Sequence, residues 1–335
     1  MKKKLITLII VIMTVIGISG CGSIDDDGSD LVDMLEELGG FGFGGIYAVK
    51  GETSQFEYNG DEIRIPYWIE GSEEEGVISE FGLLAFTDGL PQPMRLETMD
   101  GEVFREMSYL HDFILEYDER LEFELVFTPV SGSVGQQVSF IVGSIFGPHS
   151  LPESINRPNF SPFHDLFARF PDEIMINSEI QNSSTNYLEV ELVELSERMI
   201  ESETDHFGFF TTGTPRLWLL PEGIDHQINL ADVIVTQDGR VNAQLLVYGG
   251  QEVRSRLTVF VNHQPVQVNG ADFIEIQMQD EQMLALDIEL VLDELDYFNS
   301  LYVMMMATGE DYLLQDDMYK SPSILLIYEG AGEHS

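Results

Sequence analysis

The sequence predicts an all-β protein, and three observations support this class. Side chains alternate between apolar and polar in four segments that span both halves of the chain, 63–70, 121–128, 274–279 and 284–290. A period of two is typical of antiparallel strands with one face on a core and the other in solvent. Long amphipathic helices are scarce, and Asp-Gly, Asn-Gly and Gly-Gly pairs separate the apolar runs. These features favour β-sandwiches over an α/β fold.

The two halves of the chain resemble each other in the order of their strands. Residues 63–71 and 241–249 share an apolar-alternating pattern at an offset of 178. Three further pairs of segments follow in the same order: 83–93 with 258–267, 110–129 with 283–306, and 138–146 with 324–328. The repeat predicts two tandem immunoglobulin-like antiparallel β-sandwich domains, each of about 100 residues.

The amino terminus carries an export signal that ends at the only cysteine. Lys2–Lys4 precede an apolar run over Leu5–Ile18, and Ser19 and Gly20 lead directly to Cys21. This segment resembles the lipobox signal peptide of bacterial lipoproteins, although isoleucine stands where leucine is commonest. The run is shorter than the roughly 17 to 25 residues that span a bilayer, and it fits the apolar region of a cleaved signal.

The resemblance implies that Cys21 is lipidated and becomes the mature amino terminus. Two acyl chains give stable anchoring, because each buried methylene contributes roughly 0.8 kcal/mol. An uncleaved anchor would require a longer apolar stretch, and an ordinary secretory signal would require no cysteine. We therefore expect a lipid-anchored protein on the outer face of a bacterial cell membrane. No thiol would remain for a disulfide, so core burial alone must hold the domains.

The charge of the chain limits the classes of partner. Residues 1–20 hold three of the 16 Lys and Arg and none of the 59 Asp and Glu, which leaves 13 basic against 59 acidic residues, a formal net charge of −46. Such a charge repels phosphate backbones and anionic lipid surfaces. We therefore expect no nucleic-acid partner and no electrostatic membrane docking beyond the lipid itself.

Composition along the chain predicts five segments. They are a lipoprotein signal peptide (1–20), an acidic and Gly-rich tether (21–45), a first β-sandwich (46–148), a Pro-rich linker with a possible short helix over 163–170 (149–185), and a second β-sandwich (186–330). Asp25–Asp30 within the tether is similar to a calcium loop but lacks the bidentate Glu at the required spacing, so we interpret it as a hydrated spacer.

No constellation of catalytic, cofactor-binding or metal-ligating residues emerges from the sequence. Ser133 lacks the first glycine of a nucleophile elbow, and the Gly-rich run 39–45 contains no Lys for a phosphate loop. The seven histidines never fall at the helical spacing of a zinc site. Among 59 carboxylates some pair will satisfy any distance by chance, so pairs of acids predict nothing.

Trp68 and Arg64 are the candidate partner-contact residues. The alternation over 63–70 places both on the polar face of a strand, where an exposed tryptophan is a common anchor for a protein or a sugar. Alternatively, Trp68 packs against the linker or the other domain.

The predicted function is therefore a non-enzymatic binding module for a protein or glycan at the cell surface, and the chain resembles bacterial surface lipoproteins built from tandem β-sandwiches. One alternative is a transporter-associated solute-binding lipoprotein, whose usual α/β lobes require helices that the pattern lacks. The other is a carboxylate-based extracellular hydrolase, which requires paired carboxylates in a pocket.

Overall fold

Strands form the regular structure of every region described in the computed structural model. The described residues are 42–45, 54–72, 75–150, 164, 166–168, 172–181, 186–195, 215–221, 233–249, 252–279, 282–309 and 318–330. Across these ranges there are 24 strands and no α-helix, and no helix within them is long and apolar enough to cross a bilayer. Cys21 and the predicted signal peptide, residues 1–20, lie outside the described residues.

The first sandwich contains twelve strands: β1 (Gly42–Gly45), β2 (Gln55–Tyr58), β3 (Ile63–Glu70), β4 (Ser79–Thr87), β5 (Leu90–Gln92), β6 (Met94–Glu97), β7 (Val103–Ser108), β8 (Leu110–Leu115), β9 (Arg120–Phe127), β10 (Gln137–Phe146), β11 (Leu166–Ala168) and β12 (Asp172–Ile176). Its outer sheet has the order β1-β3-β9-β6-β7. Its other sheet faces the second sandwich, and we call it the seam sheet. It has the order β2-β12-β10-β4-β5, with β8 beside β4 and β11 beside β10.

The second sandwich contains the other twelve strands: β13 (Tyr187–Glu189), β14 (Val193–Glu194), β15 (Arg216–Pro221), β16 (Val233–Thr236), β17 (Arg240–Tyr248), β18 (Arg254–Val261), β19 (Gln264–Val266), β20 (Phe273–Gln277), β21 (Gln282–Val291), β22 (Phe298–Ala307), β23 (Met318–Lys320) and β24 (Ile324–Tyr328). The outer sheet here has the order β14-β21-β17-β15. The seam sheet has the order β13-β20-β18-β22-β24-β16, with β19 beside β18 and β23 beside β22.

Each pair of sheets encloses one apolar core. In β3, buried and partly exposed residues alternate strictly, and Tyr67 of this strand packs against Phe123 of β9, with ring centroids 6.2 Å apart. Phe127 of β9 stacks on Phe140 of β10, at 4.7 Å between centroids, and so joins the outer sheet to the seam sheet. The second core is built in the same way from its own two sheets. The predicted all-β class with two tandem immunoglobulin-like sandwiches is confirmed.

Strand pairing shows that the two sandwiches are repeats of one another. In the first, β4 pairs with β5, β8 and β10, β10 also pairs with β11 and β12, and β12 pairs in parallel with β2. In the second, β18 pairs with β19, β20 and β22, β22 also pairs with β23 and β24, and β24 pairs in parallel with β16. The sequence repeat is therefore correct in its first strands.

Two of the predicted matches are wrong, 110–129 with 283–306 and 138–146 with 324–328. By their pairing, β8 and β9 correspond to β20 and β21, whereas 283–306 contains β21 and β22. By its pairing, β10 corresponds to β22, and β12 corresponds to β24. The sequence offset shrinks along the chain because the first sandwich contains an additional hairpin, β6 with β7, between β5 and β8. The second sandwich passes directly from β19 to β20.

The segment predicted as a linker belongs in part to the first sandwich. β11 lies where the short helix was expected, and Ile174 and Ile176 of β12 are buried in the first core. The boundary predicted at residue 148 is therefore too early. At the other end β1 lies within the predicted tether, where a Cβ on Gly42 would come within 3.0 Å of the Trp68 ring. A strand this rich in glycine has too few side chains to show a period of two.

The two sandwiches meet at a seam formed by equivalent strands. The apolar contact joins β4 and β10 of the first sandwich to β18 and β22 of the second. Phe86 and Phe260, which occupy equivalent positions on β4 and β18, pack edge to face with ring centroids 6.3 Å apart. Equivalent residues in contact mark a pseudo-two-fold axis. Both sandwiches lie within one compact unit, residues 39–335.

Candidate functional site

Trp68 and Arg64 lie on the outward face of the first outer sheet, as predicted, but their own neighbours engage them. Arg64 donates hydrogen bonds to Glu97 at 2.7 Å and to Glu124 at 2.8 Å. The Arg120 guanidinium lies over the Trp68 ring, 4.5 Å from its centroid. Trp68 is only partly exposed because β1 packs against its other side.

A network of ion pairs covers this face. Arg95 pairs with Glu62 and with Glu97, which also binds Arg64. The Arg64 and Arg95 guanidinium groups hold the pKa of the Glu97 carboxyl below its usual range. Because every arginine on this face already binds carboxylates, an incoming acidic group would have to displace an existing partner. The structure thus brings the two predicted residues onto one surface without leaving them open as a binding site.

A buried ion pair crosses the seam between the sandwiches. Asp88, in the turn after β4, accepts hydrogen bonds from Arg256 of β18 at 2.8 Å and from the backbone N–H of Gly309 at 2.9 Å. Both charged side chains are largely buried. Asp88 and Gly89 have φ values of 50° and 77°, and a two-residue hairpin of this kind needs positive φ at both positions. A turn at the end of one sandwich thereby delivers a carboxylate to the other.

The equivalent turn of the second sandwich delivers an imidazole to the first. His263 has a φ of 63°, uncommon for a residue other than glycine, and its ring is almost completely buried. Nε2 lies 2.6 Å from the Pro148 carbonyl oxygen, which can only accept, so Nε2 carries the proton. Nδ1 then accepts from the Tyr302 hydroxyl at 3.0 Å. Burial lowers the pKa of His263 to about 4.

His164 lies against His263 with ring centroids 5.0 Å apart. Its Nε2 donates to the Ser150 carbonyl at 3.1 Å, and burial together with the nearby His263 lowers its pKa to about 2. Lys320 Nζ lies 4.5 Å from the centroid of the Tyr302 ring and donates to Ser323 Oγ at 2.8 Å. The two imidazoles are neutral and bonded to local partners, so they connect the two sandwiches and offer no exposed nucleophile or base.

No group of three or more His, Cys, Asp or Glu side chains is arranged to hold a metal ion among the residues that the structure describes.

The exposed apolar surface is concentrated on one edge of the first sandwich. We call this surface the open edge, and its exposed residues are Ile78, Met99, Val103, Phe104, Met107, Ile114 and Tyr117. Strand β7 is the last strand of the outer sheet, and five of its six residues are exposed. Large exposed apolar groups on an edge strand are typical of protein interaction sites.

Strands β7 and β8 form this edge because the chain passes from one sheet to the other with only Tyr109 between them. Phe104 of β7 packs edge to face on Phe123, at 5.8 Å between centroids, and Phe123 stacks on Phe113 of β8. The aromatic core of the sandwich thus continues to the surface at Phe104, which is 41% exposed.

Comparisons with known proteins leave the function open. No protein-family model matches the chain, and no curated protein matches its sequence. Among solved structures, the chain is similar to the CsuC–CsuE chaperone–tip adhesion subunit pre-assembly complex of Acinetobacter baumannii, with 10% identity, 86% of this chain and 98% of that chain covered, and a TM-score of 0.21. It is also similar to the Salmonella enterica SafA pilin in complex with the SafB chaperone, with 9% identity, 87% and 97% coverage, and a TM-score of 0.23. The corresponding values for the E. coli chaperone DraB are 7% identity, 87% and 97% coverage, and a TM-score of 0.22. At these TM-scores the likenesses carry no argument about what this chain does.

Sequence reasoning missed the open edge and the seam. The open edge had a weak signal, because Val103, Phe104 and Met107 fall in a short strand without a clean alternation. The seam had a stronger one, since Phe81–Phe86 and Leu301–Ala307 are nearly continuous apolar runs. A continuous run indicates a strand buried on both faces, which a solitary two-layer sandwich does not need.

Proposed function

We propose that this chain is a lipid-anchored, non-enzymatic binding protein on the outer face of a bacterial cell, and that the open edge of its first sandwich contacts a protein partner. The observation that carries the proposal is the clustering of exposed apolar side chains on β7, on β8 and at their ends. Protein interfaces are enriched in aromatic residues and methionine, and this edge presents Phe104, Met99 and Met107.

The covered ring of Trp68 and the charge of the open edge favour a protein over a glycan as the partner. A sugar site needs an open aromatic platform, and Trp68, the candidate platform, lies between β1 and the Arg120 guanidinium. The open edge also bears Glu102 and Glu106 on and beside β7. We therefore expect the partner to present apolar and basic side chains.

Membrane attachment rests on the lipobox. Replacement of the sulfur in Cys21→Ser should release the protein from washed membranes, while the wild-type chain stays with them. Retention of the Cys21→Ser variant would show that acylation at this residue does not anchor the protein.

Photo-crosslinking in living cells tests the contact surface. We expect p-benzoylphenylalanine in place of Phe104 to form an adduct with one defined protein under ultraviolet light. The matched control carries the same group in place of Tyr297, which is 40% exposed on the second sandwich. An adduct that forms equally at both positions, or at neither, would contradict a specific protein contact at the open edge.

A further inference from the structure

The outward edge of β8 differs from the same edge of its repeat. β8 pairs with β4 as β20 pairs with β18, and the registers Leu83 with His111 and Leu257 with Ile274 align the two strands. In the second sandwich β13 lies alongside β20 in parallel, with Tyr187 opposite Phe273 and Glu189 opposite Glu275. Among the residues that the structure describes, no strand pairs with β8 on that side.

The backbone of β8 directs hydrogen-bonding groups outward that β4 does not use. The Glu80 carbonyl of β4 accepts from Gly147 N at 3.0 Å, on the side of β10. The backbone N–H and C=O groups of successive residues in a strand point to opposite neighbouring strands. Those of Phe81 therefore point to β8, and those of its partner Phe113 point to β4. Asp112 and Ile114, on either side of Phe113, therefore present their N–H and C=O groups away from β4.

One side chain covers part of this edge at present. Arg105 of β7 donates from Nη2 to the Asp112 carbonyl at 3.2 Å and lies over the Phe113 ring at 5.7 Å. Asp112 corresponds to Glu275, the residue that β13 covers in the second sandwich. A single exposed guanidinium thus occupies the position that a whole strand fills in the repeat.

The side chains around the edge define the chemistry of an occupant. Ile114, 67% exposed, and Ile78 project on the outward face beside β8. The acidic groups Glu80, Asp112 and Glu116 flank them, and His149 lies 3.6 Å from Asp112. A strand that added here would need apolar residues for the isoleucines and basic residues for the carboxylates.

We propose that the outward edge of β8 binds an extended segment of the protein partner, apolar and basic in sequence, which adds to the seam sheet as a parallel strand. The inference rests on the proposed function and specifies how the partner is held. Backbone hydrogen bonds to Asp112 and Ile114 supply affinity, and the flanking side chains supply selectivity. The parallel pairing of β13 with β20 in the second sandwich provides an example of this geometry within the same chain.

The test selects peptides from a phage-displayed library of random dodecapeptides on the full-length chain in detergent. We expect lysine- and arginine-containing peptides of alternating pattern, whose affinity is then measured by fluorescence anisotropy. Ile114→Pro removes an outward N–H that β4 does not use, as edge strands tolerate, and should weaken binding at least tenfold. Arg105→Ala should tighten binding several-fold, because no guanidinium then has to be displaced.

The matched control is Val134→Pro. Val134 is 58% exposed and occupies the first central position of the turn that Ser133 and Gln136 close, where proline is favoured. It should leave peptide affinity unchanged. Hydrogen exchange of the bound complex should slow at Asp112 and Ile114 and remain unchanged at Val134.

Four results would overturn the inference. Peptides that bind equally well to the Ile114→Pro variant occupy another surface. A concentration-dependent dimer that Ile114→Pro abolishes would make a second copy of the chain the occupant. Binding that appears only after removal of residues 22–38 would make the chain's own amino-terminal segment the occupant. A specific Phe104 adduct with no effect of Ile114→Pro would refute the strand addition and leave the proposed protein contact intact.

Discussion

The seam sheets and the outer sheets of this protein use similar strands in opposite environments. In the seam, β10 and β22 are buried on both faces over nearly their whole length. In the outer sheets, β3 alternates between the core and the surface over its whole length, and β17 does so over its first five residues, 240–244. The comparison teaches that the continuous apolar strands specify contact between the two sandwiches, while the alternating strands specify each sandwich alone.

The polar groups differ between the two environments as well. Asp88, Arg256 and His263 at the seam are buried and bonded across it. On the outer sheets, pairs such as Arg240 with Glu289 are half exposed. Water and salt screen the half-exposed pairs of the outer sheets much more strongly than the buried groups of the seam. Changes at the seam should therefore have large effects on stability.

The largest effect is expected from truncation of a seam aromatic. Phe86→Ala removes a fully buried ring between the two sandwiches and should lower the free energy of unfolding by about 3 to 5 kcal/mol. Phe104→Ala, the same change at the open edge, should cost about 1 kcal/mol, because Phe104 is partly in water. Urea denaturation measures both variants, and equal losses would show that the seam is not packed as a core.

A smaller effect is expected from loss of the charge at Asp88. Asp88→Asn keeps a side chain that tolerates positive φ, as Asn262 does in the equivalent turn. It removes the closer of the two carboxylates that pair with Arg256 and leaves Glu275, 3.3 Å from Arg256 Nε. The expected loss is about 2 kcal/mol, typical of a hydrogen bond to a charged group. Arg240→Ala on the outer sheet should change stability by less than about 1 kcal/mol. A loss at Asp88 no larger than this control, measured in the same urea series, would refute a buried seam ion pair.

The smallest effect, counted per histidine and per pH unit, is expected from mild acid. Burial holds the pKa of His263 at about 4 and that of His164 at about 2 in the folded chain, below the unfolded value of about 6.5. The unfolded chain therefore binds more protons, so stability is full above pH 6.5 and falls as the pH drops toward 4. Each histidine contributes at most about 1.4 kcal/mol per pH unit.

The variant His263→Asn isolates one of these contributions. Asparagine tolerates the backbone conformation and places its amide near the position of Nδ1, beside the Tyr302 hydroxyl, so the turn should persist. We expect the slope of unfolding free energy against pH between 6.5 and 4 to decrease by the share of one histidine. An unchanged slope would place the acid sensitivity elsewhere, for example at His111, whose pKa burial also lowers.

Strands β3 and β12 show which features of the fold the sequence pattern predicts and which it does not. The alternation at Ile63, Ile65 and Tyr67 correctly places β3 on a core, and it places Trp68 and Arg64 together on the outward face. It does not show that Arg120 covers Trp68, because β9 is 50 residues away and register depends on the whole pairing. The segment 149–185 was interpreted as a linker because its prolines dominate the pattern, while β12 is short and is specified by pairing with β2 and β10.

The sequence by itself determined the strand content, the turns after β4 and β18, the repeat of the first strands of the two sandwiches and the expectation of a lipid anchor at Cys21. These features are local, because side-chain period, turn residues and signal patterns act between neighbours in the chain. The tertiary structure decided which strands are buried twice, which histidines lie neutral at the seam, and which edge stays open at β8. These depend on contacts between residues more than a hundred positions apart, such as Asp88 with Arg256, which no local pattern encodes.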